Sequence, residues 1–273
     1  MKISVVTVNL NNSDGLEQTL KSLASQSYNE FELIVIDGGS LDGSVDVIKN
    51  FGSLVTYWVS EKDKGTYHAM NKGILASKGE YCFFLNSGDS LTGANVFENI
   101  SKESLWADIV SGNVLKIREN GKYRKIVPHE KPSLLKLCAH SLPHQATLIK
   151  RDLFDEVGCY DETFKIVSDF DFFLKALVIH KKSYQRVDID FSFFNLAGIS
   201  SNRKYFPLAK EESFRCLQNN FPDMVDDLMD YRYFYTSNIG QTIQLLKKNK
   251  KLYQKTDKFL GWLVNFKKSI VGK

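Results

Sequence analysis

Short apolar runs and longer amphipathic runs alternate along the first ninety residues. Residues 3–8, 32–37, 55–60 and 80–85 are rich in β-branched and aromatic side chains, and each run has the length of one strand. Between them, residues 14–26, 45–51 and 66–77 show helical spacing, and Ser13 and Asp14 are candidate caps of the first helix. Strands that alternate with helices predict a parallel, doubly wound α/β sheet.

The pattern changes after residue 105. Residues 108–118 and 123–127 predict two strands joined by Asn120-Gly121, a dipeptide that favours a tight hairpin turn. A short strand at 147–150, a strong helix at 168–180 and a strand at 186–194 follow, and everything beyond Pro207 is helical or tail-like. We therefore expect a mixed sheet in one domain over residues 1–205, and a helical C-terminal extension with a lysine-rich tail over 206–273.

Polar and acidic residues follow the four strands predicted in the first half. Ligands of such sheets bind beyond the carboxyl ends of the strands, so these strand ends are expected to form one site. The four segments are Val8-Asn9, Asp37-Gly38-Gly39-Ser40, Ser60-Glu61-Lys62-Asp63 and Asn86-Ser87-Gly88-Asp89, and three of them carry a carboxylate.

Composition excludes several classes of protein. Apolar residues make up 43% of the 273 positions and charged residues 25%, which excludes collagen-like and disordered chains. No run approaches the roughly 18 apolar residues of a spanning helix, and the apolar run after Lys2 is too short for a signal peptide, so we expect the mature chain to begin at Met1. The four cysteines form no C-x-x-C pair and are expected to be buried, reduced thiols.

The positive charge is concentrated at the C-terminus. Residues 240–273 contain nine lysines and a single acid, a net +8, whereas the formal charge of the whole chain is +4. The lysines flank the apolar segment 259–266, which contains Trp262, so the tail has the composition of a helix that lies on an anionic membrane. A solvated lysine-rich helix that packs on the domain explains the same composition.

Two of the strand-end segments could bind a phosphate or a metal ion, and each also has a purely structural explanation. Gly38-Gly39-Ser40 could receive phosphate oxygens, or it could be a β-to-α turn capped by Ser40 or Ser44. Asp89 could hold Mg²⁺ or Mn²⁺ if a diphosphate completed the coordination, or it could close a turn.

Two later segments also allow either a functional or a purely structural interpretation. Asp169 and Asp171 open the helix predicted at 168–180, where acids favour the helix N-terminus and Ser168 is a candidate cap. A carboxylate at the rim of a cleft could also serve as a general base. His144-Gln145 offers polar substrate contacts, or is an ordinary loop pair. Its spacing to His140, with Pro143 between, does not suit a zinc site.

Taken together, these segments resemble the family 2 glycosyltransferases of the GT-A fold, especially the branch that builds bacterial exopolysaccharides such as colanic acid. The resemblance covers about two-thirds of the chain and rests on the order of its pieces. These pieces are 4–9 (SVVTVN), 35–40 (VIDGGS) with 42–44, 60–65 (SEKDKG), 69–73 (AMNKG), 84–89 (FLNSGD), 144–145 (HQ) and 168–171 (SDFD).

The resemblance implies a reaction and a place for it. The reaction is a metal-dependent, inverting, hexosyl-type transfer from a nucleoside-diphosphate sugar to a hydroxyl of a glycan or lipid-linked glycan, in bacterial surface polysaccharide synthesis. The donor half would lie at about 1–105 and the acceptor half at about 106–205. We expect the protein in the cytoplasm or at the inner face of the cell membrane, with no nucleic-acid partner.

The resemblance also implies roles for single residues. Asp89 would hold Mg²⁺ or Mn²⁺, Asp37 would contact the nucleoside, and Asp169 would be the general base. The donor pocket would be lined by Thr7, Asn9, Glu61, Asp63, Asn71 and Asn86, and the sugar or acceptor would be contacted by His144 and Gln145.

Three positions depart from the family pattern. Gly38 stands where many members have a second acid, Asn86 replaces the first acid of the usual D-x-D, and Ser168 stands where a Glu often precedes the base. These departures keep open a catalytically silent subunit that only binds nucleotide-sugar. The basic tail keeps open an electrostatic nucleic-acid binder.

Overall fold

The computed structural model describes residues 2–117, 121–195 and 202–271, with side chains as far as residue 262. Its strands are β1 (Ile3–Asn9), β2 (Phe31–Asp37), β3 (Val55–Ser60), β4 (Tyr81–Phe84), β5 (Ser90–Leu91), β6 (Ile109–Ile117), β7 (Tyr123–Ile126), β8 (Thr147–Lys150) and β9 (Tyr184–Phe194). Its helices are α1 (Ser13–Ala24), α2 (Ser44–Asn50), α3 (Thr66–Ala76), α4 (Val96–Lys102), α5 (Leu134–Ala139), α6 (Leu153–Val157), α7 (Ser168–Leu174), α8 (Phe206–Asn220), α9 (Val225–Thr236), α10 (Asn238–Lys247) and α11 (Lys250–Val271).

The strands form a single mixed sheet in the order β3-β2-β1-β4-β8-β6-β9-β5, with β7 paired to β6. The first four are mutually parallel, and Val5 of β1 lies between Leu33 of β2 and Phe83 of β4. Every residue of β1 is buried, as expected for a strand covered by helices on both faces. The prediction of a parallel, doubly wound first half is confirmed.

The second half adds antiparallel pairs. β8 runs antiparallel to both β4 and β6, whereas β9 runs parallel to β6. The predicted hairpin is present as an antiparallel β6–β7 pair, in which Ile117 faces Tyr123. Asn120 of the predicted turn lies outside the described residues. The prediction of a mixed sheet is confirmed.

Successive strand residues face opposite sides of the sheet and supply two separate cores. Val6 and Phe84 pack with Met70 of α3 and Phe172 of α7 on one face. On the other face, the cluster joins the strands to helices α1 and α4, and its members include Val5, Leu33, Phe83, Leu16, Leu20 and Phe97. Both helix layers therefore fix where the strand ends lie.

The helix caps differ from the predictions. The Asn12 side chain, and not Ser13 or Asp14, caps α1 by accepting from the Gly15 amide. Gly43 precedes α2 and makes no side-chain cap, while Asp42 accepts from the amide and the hydroxyl of Ser44. The prediction of a Ser40 or Ser44 cap is therefore wrong, because α2 begins at Ser44 itself and the Ser40 hydroxyl is bonded to Asp37.

The helix predicted over 168–180 also differs in detail. Val167 precedes α7, and the Ser168 hydroxyl is buried without a hydrogen-bond partner, so Ser168 is not its cap. The α-helix ends at Leu174 and continues as a π-helical turn, Lys175–Ile179. Of the four cysteines, Cys159 is exposed, which corrects the expectation that all would be buried; the thiols are free.

The C-terminal helices change character along their length. Cys216, Leu217, Val225 and Leu228 belong to the same core cluster as α3 and α7. Beyond Leu228, large apolar side chains are mostly exposed. Among the described residues, we find no helix with both the length and the apolar content needed to cross a bilayer.

The close approach of α3 to β1 depends on a glycine. A Cβ added at Gly73 would overlap a methyl group of Val6. We expect Gly73→Ala to lower the free energy of unfolding by about 1–3 kcal/mol, because overpacking outweighs the gain in helix propensity. Urea unfolding would measure it. Gly93→Ala is the control, since a Cβ there meets no atom within 4 Å and should change stability by less than about 0.5 kcal/mol. Equal stability of the two variants would contradict this account of the contact.

Candidate active site

Asp37 organises the loop that follows β2. Its carboxylate accepts from the Asn9 amide at 2.7 Å, from the Ser40 and Ser60 hydroxyls at 2.6 Å each, and from the backbone N–H groups of Gly39 and Ser40 at 3.2 and 2.9 Å. The side chain is fully buried. Burial alone would raise the pKa of Asp37, but these donors outweigh it and hold the pKa below its ordinary value.

The Asp63 carboxylate lies beside Gly38, the glycine that stands where many members of the family have a second acid. A Cβ built on Gly38 would come within 2.7 Å of Asp63 Oδ2, so this carboxylate fills the space beside residue 38. Asp63 also accepts from the Gly65 amide at 2.9 Å, before α3 begins. Glu61 is exposed, and Lys72 lies 2.6 Å from it and holds the pKa of Glu61 below its ordinary value.

Three of the residues predicted to line the donor pocket are buried and internally bonded. The Thr7 hydroxyl donates to Leu85 O at 2.9 Å, and Asn9 donates to Asp37 while its Oδ1 atom has no partner. Asn71 bonds the N–H and the carbonyl of Tyr160 and also the Glu162 side chain, which joins α3 to the segment after α6. In this structure these side chains order the site, and their predicted contact with a donor stays a prediction.

Asp169 stands at the N-terminus of α7 and is held by three donors. His144 Nδ1 lies 3.1 Å from Oδ2, and the Phe170 amide donates to Oδ1 at 2.8 Å. Because an ionised carboxylate only accepts, we assign the proton of the imidazole to Nδ1. His144 Nε2 lies 3.4 Å from Asn86 Nδ2, so the ring links Asp169 to the loop after β4.

The third donor is Tyr67, which the sequence reasoning missed. Its hydroxyl lies 2.7 Å from Ile166 O and 3.2 Å from Asp169 Oδ1, so its single proton is shared between these two acceptors, of which Ile166 O is the nearer. Burial raises the pKa of Tyr67 well above its ordinary value, so the hydroxyl keeps its proton. Tyr67 shares the buried face of α3 with Met70 and Ile74, and a buried tyrosine needs a partner for its hydroxyl. The need of a buried tyrosine for a hydroxyl partner is the feature of the sequence that could have indicated a role for Tyr67.

Asp89 is the candidate metal ligand. It is only 5% exposed, and its Oδ1 accepts from the Asn195 amide at 2.9 Å. Burial raises the pKa of Asp89 to about 7, against the lowering effects of the Asn195 amide and of His144. A bound cation would favour the ionised form of such a carboxylate.

The residues present fit a divalent cation shared with a diphosphate. Asn86 Oδ1, in the same loop as Asp89, is buried and has no hydrogen-bond partner among the residues that the structure describes, and carboxylate and amide oxygens suit Mg²⁺ or Mn²⁺. Within the described residues, no group of three or more His, Cys, Asp or Glu side chains could hold a metal alone. Most ligands of a cation here would have to come from substrate and water.

The predicted site residues therefore fall into two neighbouring groups at the carboxyl ends of strands β1–β4. The β1–β3 ends carry the Asp37 network, and the β4 end carries Asn86 and Asp89 beside His144 and Asp169. Gln145 is buried next to His144, and its carbonyl accepts from Ser192. A groove of about 580 Å³, lined by residues that include Thr92, Lys102, Lys125 and Asp190, contains none of the predicted site residues.

The Asp37 network predicts a pH-dependent stability. Asp37→Asn should lower the free energy of unfolding by about 2–4 kcal/mol at pH 7, because an amide cannot accept from all of these buried donors. The folded pKa of Asp37 is depressed, so its contribution is present above the unfolded value of about 3.9 and is lost as the pH falls. Urea unfolding at pH 7 and about pH 3.5 should show the gap between wild type and variant narrowing. Asp46→Asn, at an exposed carboxylate of α2, should have little effect at either pH. A gap that is constant with pH would contradict this assignment.

Comparison with known sequences identifies relatives of this chain. Residues 4–172 match the family described as Glycosyl transferase family 2. An uncharacterised glycosyltransferase of Mycobacterium tuberculosis (strain CDC 1551 / Oshkosh) is 32% identical over 209 residues, which cover 74% of this chain and 78% of the relative. A PGL/p-HBAD biosynthesis glycosyltransferase of Mycobacterium bovis (strain BCG / Pasteur 1173P2) is 28% identical over 63% of this chain and 68% of its own.

Solved structures share the fold. TarS 1-349 of S. aureus, in complex with UDP-GlcNAc, superposes with a TM-score of 0.66 at 16% identity, covering 93% of this chain and 78% of that one. The mannosyltransferase PcManGT of Pyrobaculum calidifontis, in complex with GDP-Man and Mn²⁺, gives 0.64 at 14% identity, covering 90% and 75%. In a further TarS structure the matched region is 44% of that chain. At such low sequence identity, the structural matches show the fold alone, which is GT-A. The sequence matches show that the chain belongs to glycosyl transferase family 2 and is a glycosyltransferase.

Proposed function

We propose that the protein is an inverting, metal-dependent hexosyltransferase that moves a sugar from a nucleoside diphosphate to a hydroxyl of a glycan or lipid-linked glycan. The observation that carries the proposal is the placement of Asp169. Donors from α3, the His144 segment and α7 itself hold its carboxylate, and His144 connects it to the Asn86–Asp89 loop. A fixed carboxylate next to a candidate diphosphate site suits a general base.

In the proposed reaction, Asp169 accepts the proton of the acceptor hydroxyl. The acceptor oxygen forms a bond to the anomeric carbon while the bond to the diphosphate breaks, and the electron pair leaves with the diphosphate. One displacement of this kind inverts the anomeric centre. Because the three donors fix the orientation of Asp169, it can meet the acceptor without reorganising.

Asp89 and the Asn86 amide oxygen are the groups that would hold Mg²⁺ or Mn²⁺. When bound, the cation supplies charge neutralisation for the departing diphosphate. The raised pKa of Asp89 means that, without a cation, much of this carboxyl is protonated near neutral pH. Cation binding should therefore release a proton and strengthen as the pH rises.

Relatives and neighbours support the substrate class and the setting. One structural neighbour contains UDP-GlcNAc and another GDP-Man with Mn²⁺, which supports a nucleotide-sugar donor without choosing the base. A relative named for PGL/p-HBAD biosynthesis supports a lipid-linked or surface glycan acceptor. We place the reaction in the cytoplasm, at the inner face of the membrane, within surface polysaccharide synthesis.

The C-terminal helix α11 suits contact with that membrane. Phe259 and Trp262 are 57% and 58% exposed, with their rings stacked at 6.1 Å, and Leu252 and Leu260 are also exposed. Residues 259–262 therefore carry largely exposed apolar side chains in the part of α11 whose side chains the structure describes. Exposed aromatic residues among lysines favour an anionic bilayer surface.

Donor binding and turnover test the proposed reaction. In a panel of UDP-, GDP- and dTDP-sugars, we expect one nucleotide class to raise the melting temperature, more so with Mn²⁺, and to support transfer. Asp169→Asn should retain nucleotide binding and lose about 10²–10⁴-fold in transfer, because it removes the base. Asp89→Ala should lose most of the Mn²⁺ effect on nucleotide binding, because it removes the charged ligand.

Matched variants and named outcomes complete this test. Asp152→Asn, at an exposed carboxylate, should leave binding and transfer unchanged. Donor binding without turnover in the wild type would indicate the catalytically silent subunit. A metal response that is preserved in Asp89→Ala would contradict the assignment of Asp89.

Membrane contact is tested with full-length protein and vesicles that contain phosphatidylserine. Replacing Lys251, Lys255 and Lys258 by Gln should weaken binding by roughly 100-fold, since each lysine near an anionic surface contributes about 1 kcal/mol. Co-sedimentation would measure the partition.

The control removes the same charge elsewhere. Replacing Lys21, Lys49 and Lys102, which are exposed lysines of the α/β domain, by Gln should leave vesicle binding unchanged. Equal binding by both triple variants would contradict a membrane role for α11. Salt-sensitive binding of RNA or DNA that is lost only in the α11 variant would instead favour the nucleic-acid hypothesis.

A further inference from the structure

Helix α8 lies outside the residues that match the family, yet it packs against the segment that carries Asp169. We call residues 161–171 the base-bearing segment. The backbone of this segment runs from a turn after β8 and α6 into the first turn of α7. Its path decides where the Asp169 carboxylate lies.

Glu212 of α8 binds two consecutive amides of this segment. Its Oε1 accepts from Lys165 N at 2.7 Å, and its Oε2 accepts from Ile166 N at 2.9 Å. The side chain is only 4% exposed. Because each oxygen takes one N–H, the plane of the carboxylate fixes both peptide groups, and a shift of either would leave a buried donor without a partner.

Tyr67 holds the same stretch of backbone from the other side. Its hydroxyl lies 2.7 Å from Ile166 O, and it also lies 3.2 Å from Asp169 Oδ1. Ile166 is therefore bound through its N–H by α8 and through its carbonyl by α3. A continuous set of hydrogen bonds joins Glu212 to the carboxylate of Asp169.

Other α8 side chains contact the segment before and after Asp169. Arg215 donates to Thr163 O at 2.9 Å, and its guanidinium lies 4.4 Å from the centre of the Phe164 ring. Asn220 donates to Asp171 Oδ1 at 2.8 Å. With contacts on both sides, α8 limits the movement of the base-bearing segment as a whole.

We propose that Glu212 is a positioning residue for Asp169, and that the C-terminal extension thereby takes part in sugar transfer. This inference rests on the proposed function, in which Asp169 is the base. Both hydrogen bonds of the Glu212 carboxylate go to the base-bearing segment, and none that the structure describes goes to the loops after β2 and β3, so we expect its effect on transfer and not on nucleotide binding.

The test compares Glu212→Gln with Glu211→Gln in the full chain. Glu211 is the exposed neighbour on the same helix and has the same charge. A glutamine at 212 can accept from only one of the two amides, so we expect kcat to fall roughly 10- to 100-fold, the range that a displacement of about 1 Å can produce. The donor KM and the nucleotide Kd should stay within about twofold of wild type, and Glu211→Gln should match wild type throughout.

A second pair of variants examines the other end of the hydrogen-bonded path. Tyr67→Phe removes the hydroxyl that bonds Ile166 and Asp169, while Tyr160→Phe removes a neighbouring buried hydroxyl for which the described part of the chain offers no hydrogen-bond partner. We expect Tyr67→Phe to lower kcat and Tyr160→Phe to leave it unchanged. Combining Glu212→Gln with Tyr67→Phe should lower kcat by less than the product of the single effects, because both act on one peptide.

The readouts separate positioning from folding. Rates are expressed per molecule that binds nucleotide, so unfolded protein does not contribute, and Glu212→Asp provides a milder variant that keeps the charge. If the wild type transfers sugar and both Glu212 variants keep its kcat, the inference is overturned even if their melting temperatures fall. If the wild type transfers no sugar from any donor, the proposed function fails and this inference fails with it.

Discussion

The position of one carboxylate, Asp169, depends on donors from distant parts of the chain. Tyr67 comes from α3, His144 from the segment before β8, and the Phe170 amide from α7 itself. Asn71 adds a second connection between α3 and the later part of the chain by bonding the Tyr160 backbone. Both parts of the chain share one sheet, but these side-chain contacts set the relative position of Asp169 and the loop after β4.

Two buried aspartates at the carboxyl ends of the strands have pKa values that are shifted in opposite directions. Asp37 has donors at both oxygens, and its pKa is lowered in spite of burial. Asp89 accepts from the Asn195 amide, its one donor within the described ranges, and burial raises the pKa of Asp89 to about 7. A saturated carboxylate stabilises the loop around it, whereas an under-bonded one is ready for a cation or a proton. An aspartate thus stabilises the loop after β2, whereas an aspartate after β4 is a candidate metal ligand.

The sequence predicts most of the strands because apolar periodicity and length are local properties. It also predicts that the ends of β1–β4 converge, since that follows from a parallel sheet. The contacts that place Asp169 were not predictable in this way. Tyr67 lies 102 positions from Asp169, and Glu212 lies 47 and 46 positions from the Lys165 and Ile166 amides that it binds, so these groups meet only through packing. The predicted serine caps of α2 are wrong for a different reason. The helix begins at Ser44 itself and the Ser40 hydroxyl is bonded to Asp37, and the apolar pattern does not determine where a helix begins to within one residue.

The division predicted at residue 205 stays a prediction, and the packing adds a physical constraint to it. Cys216 and Leu217 of α8, and Val225 and Leu228 of α9, are buried in the core that also contains Phe172 of α7. The first part of the extension is therefore bound to the α/β domain by apolar contact as well as by Glu212. Only beyond Leu228 do exposed apolar residues and lysines prevail. The extension thus combines a buried part that constrains the segment carrying Asp169 with an exposed, lysine-rich part, and a variant that truncates it before α8 would remove both at once.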